Sequence, residues 1–191
     1  MVKRTLEDRI ESFRTYMGDI VPDDMIQELK EQGFFTSPAS RKYHGAYEGG
    51  LFDHSLNVTR MLVTITDTMH RKWQRKESPL IVGMFHDLCK IDAYKRVFKL
   101  EKLNDDCTVH VSMYEHNDKQ LLKGHGEKSV MLLSKYIQLT EEEILCIRYH
   151  MGAYMKDEWE QYDLAIKKYE NVLWTHTADM YASKVMENES D

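Results

Sequence analysis

Apolar residues recur at helical spacing along most of the chain. Leu6, Ile10, Phe13 and Met17 lie three or four positions apart and predict a helix over 5–17. Pro22-Asp23-Asp24 suits a first turn, so a second, short helix follows and stops near Gly33. After the break at Ser37-Pro38, Gly49-Gly50 opens a long helix with Leu51, His54, Leu56, Val58, Met61, Leu62 and Ile65 on or near its inner side. Ser78-Pro79 is expected to cap the next helix, which carries the apolar run Leu80 to Lys90. Periodicity then fades. Between 92 and 123 only Arg96-Val97-Phe98-Lys99-Leu100 and Thr108-Val109-His110-Val111 alternate weakly, which predicts a short hairpin or an irregular insert. Helical spacing returns after Gly124-His125-Gly126-Glu127 and runs to about Tyr136. Thr140-Glu141-Glu142-Glu143 has the form of a capping box, and the helix it starts should end at His150, with Gly152 as a stop. One or two last helices cover about 159–186.

The pattern predicts an all-α fold, a compact helical bundle with the insert around 92–123. A helical extension over 1–40 is expected to pack on a single unit spanning 41–191. Composition agrees, since 3 prolines and 9 glycines among 191 residues, with 12 methionines, favour helix. No apolar run approaches the ~20 residues of a membrane span, and the N-terminal stretch has no signal-peptide core, so a cytoplasmic protein is expected. Cys89, Cys107 and Cys146 form no CxxC pair, and Cys89 and Cys146 read as reduced core residues. The formal charge of −6 argues against a protein that coats duplex DNA.

The chemistry begins at His86-Asp87. Two ionisable neighbours at the end of an apolar helix are costly to bury unless something pairs with them, and a divalent cation would. His54, His125, His150 and Asp179 lie in similar settings at the edges of apolar helices. Taken singly, His54 and Asp179 read better as satisfied core groups, while His125 has an alternative as an exposed loop residue and His150 as an imidazolium favoured by a helix C-terminus. Taken together they call for a shared cation. Their nitrogen and oxygen donors suit Mn, Fe, Zn, Co or Ni alike. Lys90 follows Asp87 by three positions, suited either to a substrate phosphate or to the helix dipole.

With these residues in view, the chain resembles the HD superfamily of metal-dependent phosphohydrolases. The segments that carry the likeness are His44-Gly45-Ala46-Tyr47-Glu48-Gly49-Gly50-Leu51-Phe52-Asp53-His54, His86-Asp87-Leu88-Cys89-Lys90, Gly124-His125-Gly126 and Thr177-Ala178-Asp179. They are most similar to the HD domain of YhaM-type 3′→5′ exoribonucleases and to stand-alone phage and prophage HD hydrolases. The resemblance implies one or two divalent ions, the first on His54, His86, Asp87 and Asp179, the second on Asp87, His125 and His150. It implies phosphoester hydrolysis of nucleotides or short oligonucleotides by a metal-bound hydroxide, with Asp87, Lys90 and His44 as catalytic residues. Lys90, Lys95 and Arg96 are the expected substrate contacts. The chain departs from the family in having Cys89 where glycine is usual and a single histidine, His150, where many members have two. The nucleic-acid-binding module of the exoribonucleases is replaced by helices. The alternatives are a 3′→5′ exonuclease on single-stranded RNA or DNA, a non-catalytic metal-binding regulatory module, and an oxidising di-iron enzyme. No membrane or duplex DNA partner is expected, and a homo-oligomer is compatible with the sequence.

Overall fold

The computed structural model describes residues 4–104 and 107–187. Eight α-helices and one antiparallel hairpin make up the described residues, so the fold is mostly helical with a small sheet. Helix α1 (Leu6–Met17) starts at a capping box in which Thr5 and Asp8 each accept from the other's backbone N–H. Helix α2 (Asp23–Glu31) turns the chain back over the core through Met25, Ile26 and Leu29. Five phenylalanines, Phe13, Phe34, Phe35, Phe52 and Phe85, then meet in a mostly edge-to-face cluster with centroids 5.3–6.1 Å apart. This cluster packs α1 and the turn after α2 against the two helices that carry the chemistry.

Those two are α3 (Gly50–Thr68) and α4 (Ser78–Phe85). Gly49, at φ +85°, turns the chain into α3, and a Cβ there would meet the Arg9 guanidinium at 2.1 Å. Gly83 lets α4 lie directly on α3, since a Cβ would stand 2.5 Å from Thr59 Cα. Ser78 does not cap α4 as expected; its hydroxyl donates to Glu143 instead, at 2.8 Å. The buried Glu143 carboxylate also takes a two-point contact from Arg75 and the Thr140 N–H, so the predicted capping box fixes α4 as well as its own helix.

Helix α4 ends one residue before His86, and a 3₁₀ turn over Leu88–Asp92 follows. The insert is more regular than the sequence suggests. Strands β1 (Tyr94–Asn104) and β2 (Cys107–His116) form an antiparallel ladder from Tyr94↔His116 outward. Most of its described residues are exposed or half-buried, so no single buried face imposes a strong period of two. Asp92 anchors its base by pairing with Lys128 and accepting from Gln120 at 3.0 Å. Helices α5 (Gly126–Leu133), α6 (Glu141–Arg148), α7 (Trp159–Lys168) and α8 (Asn171–Tyr181) complete the bundle, and α8 continues into a π turn over Ala182–Met186. Helix α6 stops before His150, and Gly152 turns the chain with φ +52°. Among the described residues no helix is long and apolar enough to cross a membrane.

Candidate metal centre

The six residues proposed as metal ligands come from five different segments; the four histidines gather around Asp87, and Asp179 contacts His54. His54 sits in the first turns of α3, His86 just after α4, His125 just before α5, His150 just after α6 and Asp179 near the end of α8. His54, His86 and Asp87 place ligand atoms within 4.8 Å of one another, and so do Asp87, His125 and His150. Asp87 therefore joins two half-sites. Its Oδ2 lies 3.7 Å from His54 Nε2 and 3.5 Å from His86 Nε2. Its Oδ1 lies 3.1 Å from His125 Nε2 and 3.5 Å from His150 Nε2. Asp179 Oδ1 closes the first half-site, 3.1 Å from His54 Nε2.

Each imidazole is held from behind, so its Nε2 faces inward. His86 Nδ1 donates to the Gly83 carbonyl at 2.9 Å and His150 Nδ1 to the Ile147 carbonyl at 2.7 Å. His54 Nδ1 donates to Glu187 Oε1 at 2.8 Å, and His125 Nδ1 lies 3.3 Å from Cys89 Sγ. This second tier fixes tautomer and ring direction as metal-ligating histidines require. Asp87 Oδ1, His125 Nε2 and His150 Nε2 converge yet have no hydrogen-bond partner, although all three are buried atoms. Groups of this kind cost about 1–3 kcal/mol each unless something satisfies them. A divalent cation satisfies all three, and imidazole with carboxylate suits Zn, Mn or Fe. The residues present fit such an ion.

The charge state of the ion-free cluster points the same way. Burial opposes protonation of His54, but hydrogen bonds to Asp179 and Glu187 outweigh it and raise its pKa to about 10. That proton occupies the place of a cation. Burial dominates at His86, pushed down to about 3, and also lowers His125. At Asp87 burial is outweighed by Lys90, His86, His125 and His150, which hold the carboxyl well below its usual range. Asp179 is likewise held low against burial, by His54 and His86.

Lys90 lies three residues after Asp87 in the 3₁₀ turn, where three residues make one turn. Its ammonium thereby stacks on Asp87 Oδ2 at 2.6 Å while staying 13% exposed. This geometry corrects the helical reading of His86-Asp87-Lys90: Asp87 sits at the junction, not inside a helix. His44 stacks beside His54 with ring centroids 4.9 Å apart, and burial next to His54 and Lys90 lowers it to about 4. Lys95 and Arg96 are not part of the cluster. They lie on the hairpin, and as consecutive strand residues they point to opposite faces. Lys95 reaches Asp118 at 3.5 Å, whereas Arg96 turns back toward Glu48 at 3.7 Å.

Glu187 and Asn57 escaped the sequence reading. Glu187 Oε1 accepts from both His54 and Asn57 Nδ2, the latter at 3.3 Å. Eight positions beyond Asp179 on a regular helix, Glu187 would be rotated by about 80°. The π turn inserts the extra residue that brings it back over the site. In the sequence it looks like the start of an acidic tail, and only the local π geometry could reveal it.

Compared with family models, curated proteins and solved structures, the chain matches none.

Proposed function

We propose that this protein is a metal-dependent phosphohydrolase of the HD type, acting on phosphoester bonds of nucleotides or short oligonucleotides. The observation that carries the reading is Asp87, shared by two histidine half-sites and contacted by a semi-exposed ammonium. His54, His86, Asp87 and Asp179 would hold one divalent ion, and Asp87, His125 and His150 a second. Bound there, such ions supply an activated water and offset charge on phosphoryl oxygens. The chain's own groups do the rest. Lys90 is anchored by Asp87 and has its remaining donors for a non-bridging oxygen, where a positioned cation stabilises the charge of an in-line displacement. The side chains of His125, Asp179 and Lys90 are 36%, 16% and 13% exposed, so solvent and substrate reach the cluster from their side.

His44 is neutral near pH 7 in the ion-free chain. The negative charge of an arriving phosphate raises a neighbouring imidazole. His44, stacked on His54, is the group we propose exchanges a proton with the leaving oxygen.

A Mn²⁺-supplemented panel of mononucleotides, cyclic and linear dinucleotides and short single-stranded RNA tests the reading, with products resolved by chromatography. Turnover should be lost in Asp87→Ala together with bound metal. Lys90→Ala should keep the metal and lower kcat by about 10²-fold. Full activity in Asp87→Ala would overturn the proposal.

A further inference from the structure

A cleft of about 520 Å³ opens between the start of α1, the loop that precedes α3 and one face of the hairpin. That volume is within the usual range for small-molecule sites, about 300–1,000 Å³. Its walls contain Arg4, Arg9 and Arg96 against one acid, Glu48. Asp53, behind the wall, pairs with Arg4 and Arg9, so with Glu48 and Asp53 against the three arginines the region carries one net positive charge in a chain whose total is −6. Tyr47 and Tyr114 supply flat apolar surface in the same walls.

The arginines differ in freedom. Arg9 is buried, gripping Asp53 Oδ2 at 2.9 Å and the Glu48 carbonyl at 3.2 Å, so it serves as a fixed positive floor. Arg4 shares Asp53 at 3.2 Å but keeps 28% of its side chain exposed. Arg96 is 51% exposed, braced through Nε by Ser112 Oγ at 2.7 Å and only loosely paired with Glu48. A braced guanidinium with free terminal nitrogens is suited to two-point contact with a phosphate. Tyr114 faces Arg96 directly across the ladder, so ring and cation form one surface.

Two lines join this cleft to the metal centre. Asp53, which holds Arg4, Arg9 and the Tyr47 hydroxyl, is the chain neighbour of His54, and consecutive helix residues diverge by about 100°. Asp53 thus holds three of the cleft's side chains from behind while His54 faces the cluster. On the hairpin, Tyr94 senses the charges of Lys90 and Asp87, and Arg96 lies on the same strand face two residues further out, about 7 Å away.

We propose that this cleft is a subsite for a second phosphate-bearing nucleoside unit, so that the preferred substrate is a dinucleotide or an oligonucleotide end rather than a mononucleotide. Arg96 and Arg4 take the phosphate and Tyr114 the base. The inference rests on the phosphohydrolase reading for the chemistry, but the cleft's binding is independent of it.

The test is calorimetric binding of two probes, 5′-phosphorylated diadenylate and AMP, to metal-free protein in EDTA. Hydrolysis of bis(4-nitrophenyl) phosphate with Mn²⁺ runs alongside as a nucleoside-free report on the metal centre. The diadenylate should bind at least tenfold tighter than AMP. Arg96→Ala and Tyr114→Ala, both at the hairpin surface, should each remove about tenfold of that preference, the order expected for one stacked base. Equal affinity for the two probes, or a preference intact in both variants, overturns the subsite even if the nitrophenyl ester is cleaved. A diadenylate preference that depends on Arg96 and Tyr114, beside an inert ester, upholds the subsite and overturns the hydrolase reading.

Discussion

Replacing Glu187 should weaken metal binding through His54, whose ring it holds. Its carboxylate takes the Nδ1–H of His54 at 2.8 Å, and the His54 side chain is fully buried. The contact is charge-assisted and fixes the tautomer that leaves Nε2 for an ion. Glu187→Gln keeps an acceptor oxygen but loses the charge, so about a tenfold loss of affinity is expected. Glu187→Ala also leaves a buried N–H without a partner, which moves the loss toward about 100-fold. These factors correspond to about 1.4 and 2.7 kcal/mol. At an ion concentration of about 100 times the wild-type Kd, binding stabilises the wild type by about 2.7 kcal/mol and a tenfold weaker variant by about 1.4. For a chain of this size each kcal/mol moves Tm by about 2–4 °C. The metal-induced gain should therefore fall from about 5–11 °C to about 3–6 °C in Glu187→Gln. Differential scanning with and without Mn²⁺, and chelator competition for Kd, read both quantities. Affinities within twofold of wild type in both variants would refute the argument.

Two further outcomes follow from the ion-free cluster and from the helix contact that frames it. His54 is raised from 6.5 to about 10, so its contribution to stability is complete below pH 6.5 and is lost as pH rises through about 10. His86 and His44 are lowered to about 3 and about 4, so theirs is complete above pH 6.5 and lost as pH falls toward those values. Tm of the protein in EDTA should peak near pH 6.5 and decline on both sides, and a flat profile from pH 6.5 to 10 would contradict the role given to His54. Gly83→Ala should separate α3 from α4, because the new methyl would meet Thr59 Cα at 2.5 Å. Overpacking of this kind costs about 1–3 kcal/mol, and weaker Mn²⁺ binding should accompany the lower Tm, since His54 and His86 ride on the two faces being forced apart.

Much of the bundle can be read from the sequence because its helices are marked by local chemistry. Thr5 and Thr140 start α1 and α6 through side chains that reach only three residues, so their boundaries need no tertiary information. Ser78 shows where that logic stops: the same residue type finds a better partner in Glu143, 65 positions away, and leaves the cap unmade. The proposed ligands stand out because each is an ionisable group inside an apolar pattern; four histidines gather around Asp87, and Asp179 joins them only through His54. Arg96 and Lys95 were linked by adjacency, yet a strand sends neighbours to opposite faces, and only Arg96 reaches the cleft. Glu187 was invisible because its position depends on one extra residue in a π turn.

The charge of the cluster also says how many ions it should hold, and when. With His150 counted as neutral, although against burial Asp87 raises it above its ordinary value, Asp87, Asp179 and Glu187 bring three negative charges, and protonated His54 with Lys90 brings two positive ones. One divalent ion that displaces the His54 proton leaves the cluster neutral. A second ion would leave two uncompensated positive charges in a largely buried space, a state that is costly unless an anion comes with it. A hydroxide from metal-bound water would offset one of those charges; a phosphate would supply the rest, and Lys90 at the exposed edge marks where it would stand. Titration with Mn²⁺ alone should therefore saturate near one tightly held ion per chain. Adding inorganic phosphate should bring a second, with each ligand tightening the other by the same factor. Two ions held with equal strength in phosphate-free buffer would show that other groups balance the charge. Asp87 would then not be the centre on which binding of metal and phosphate are coupled.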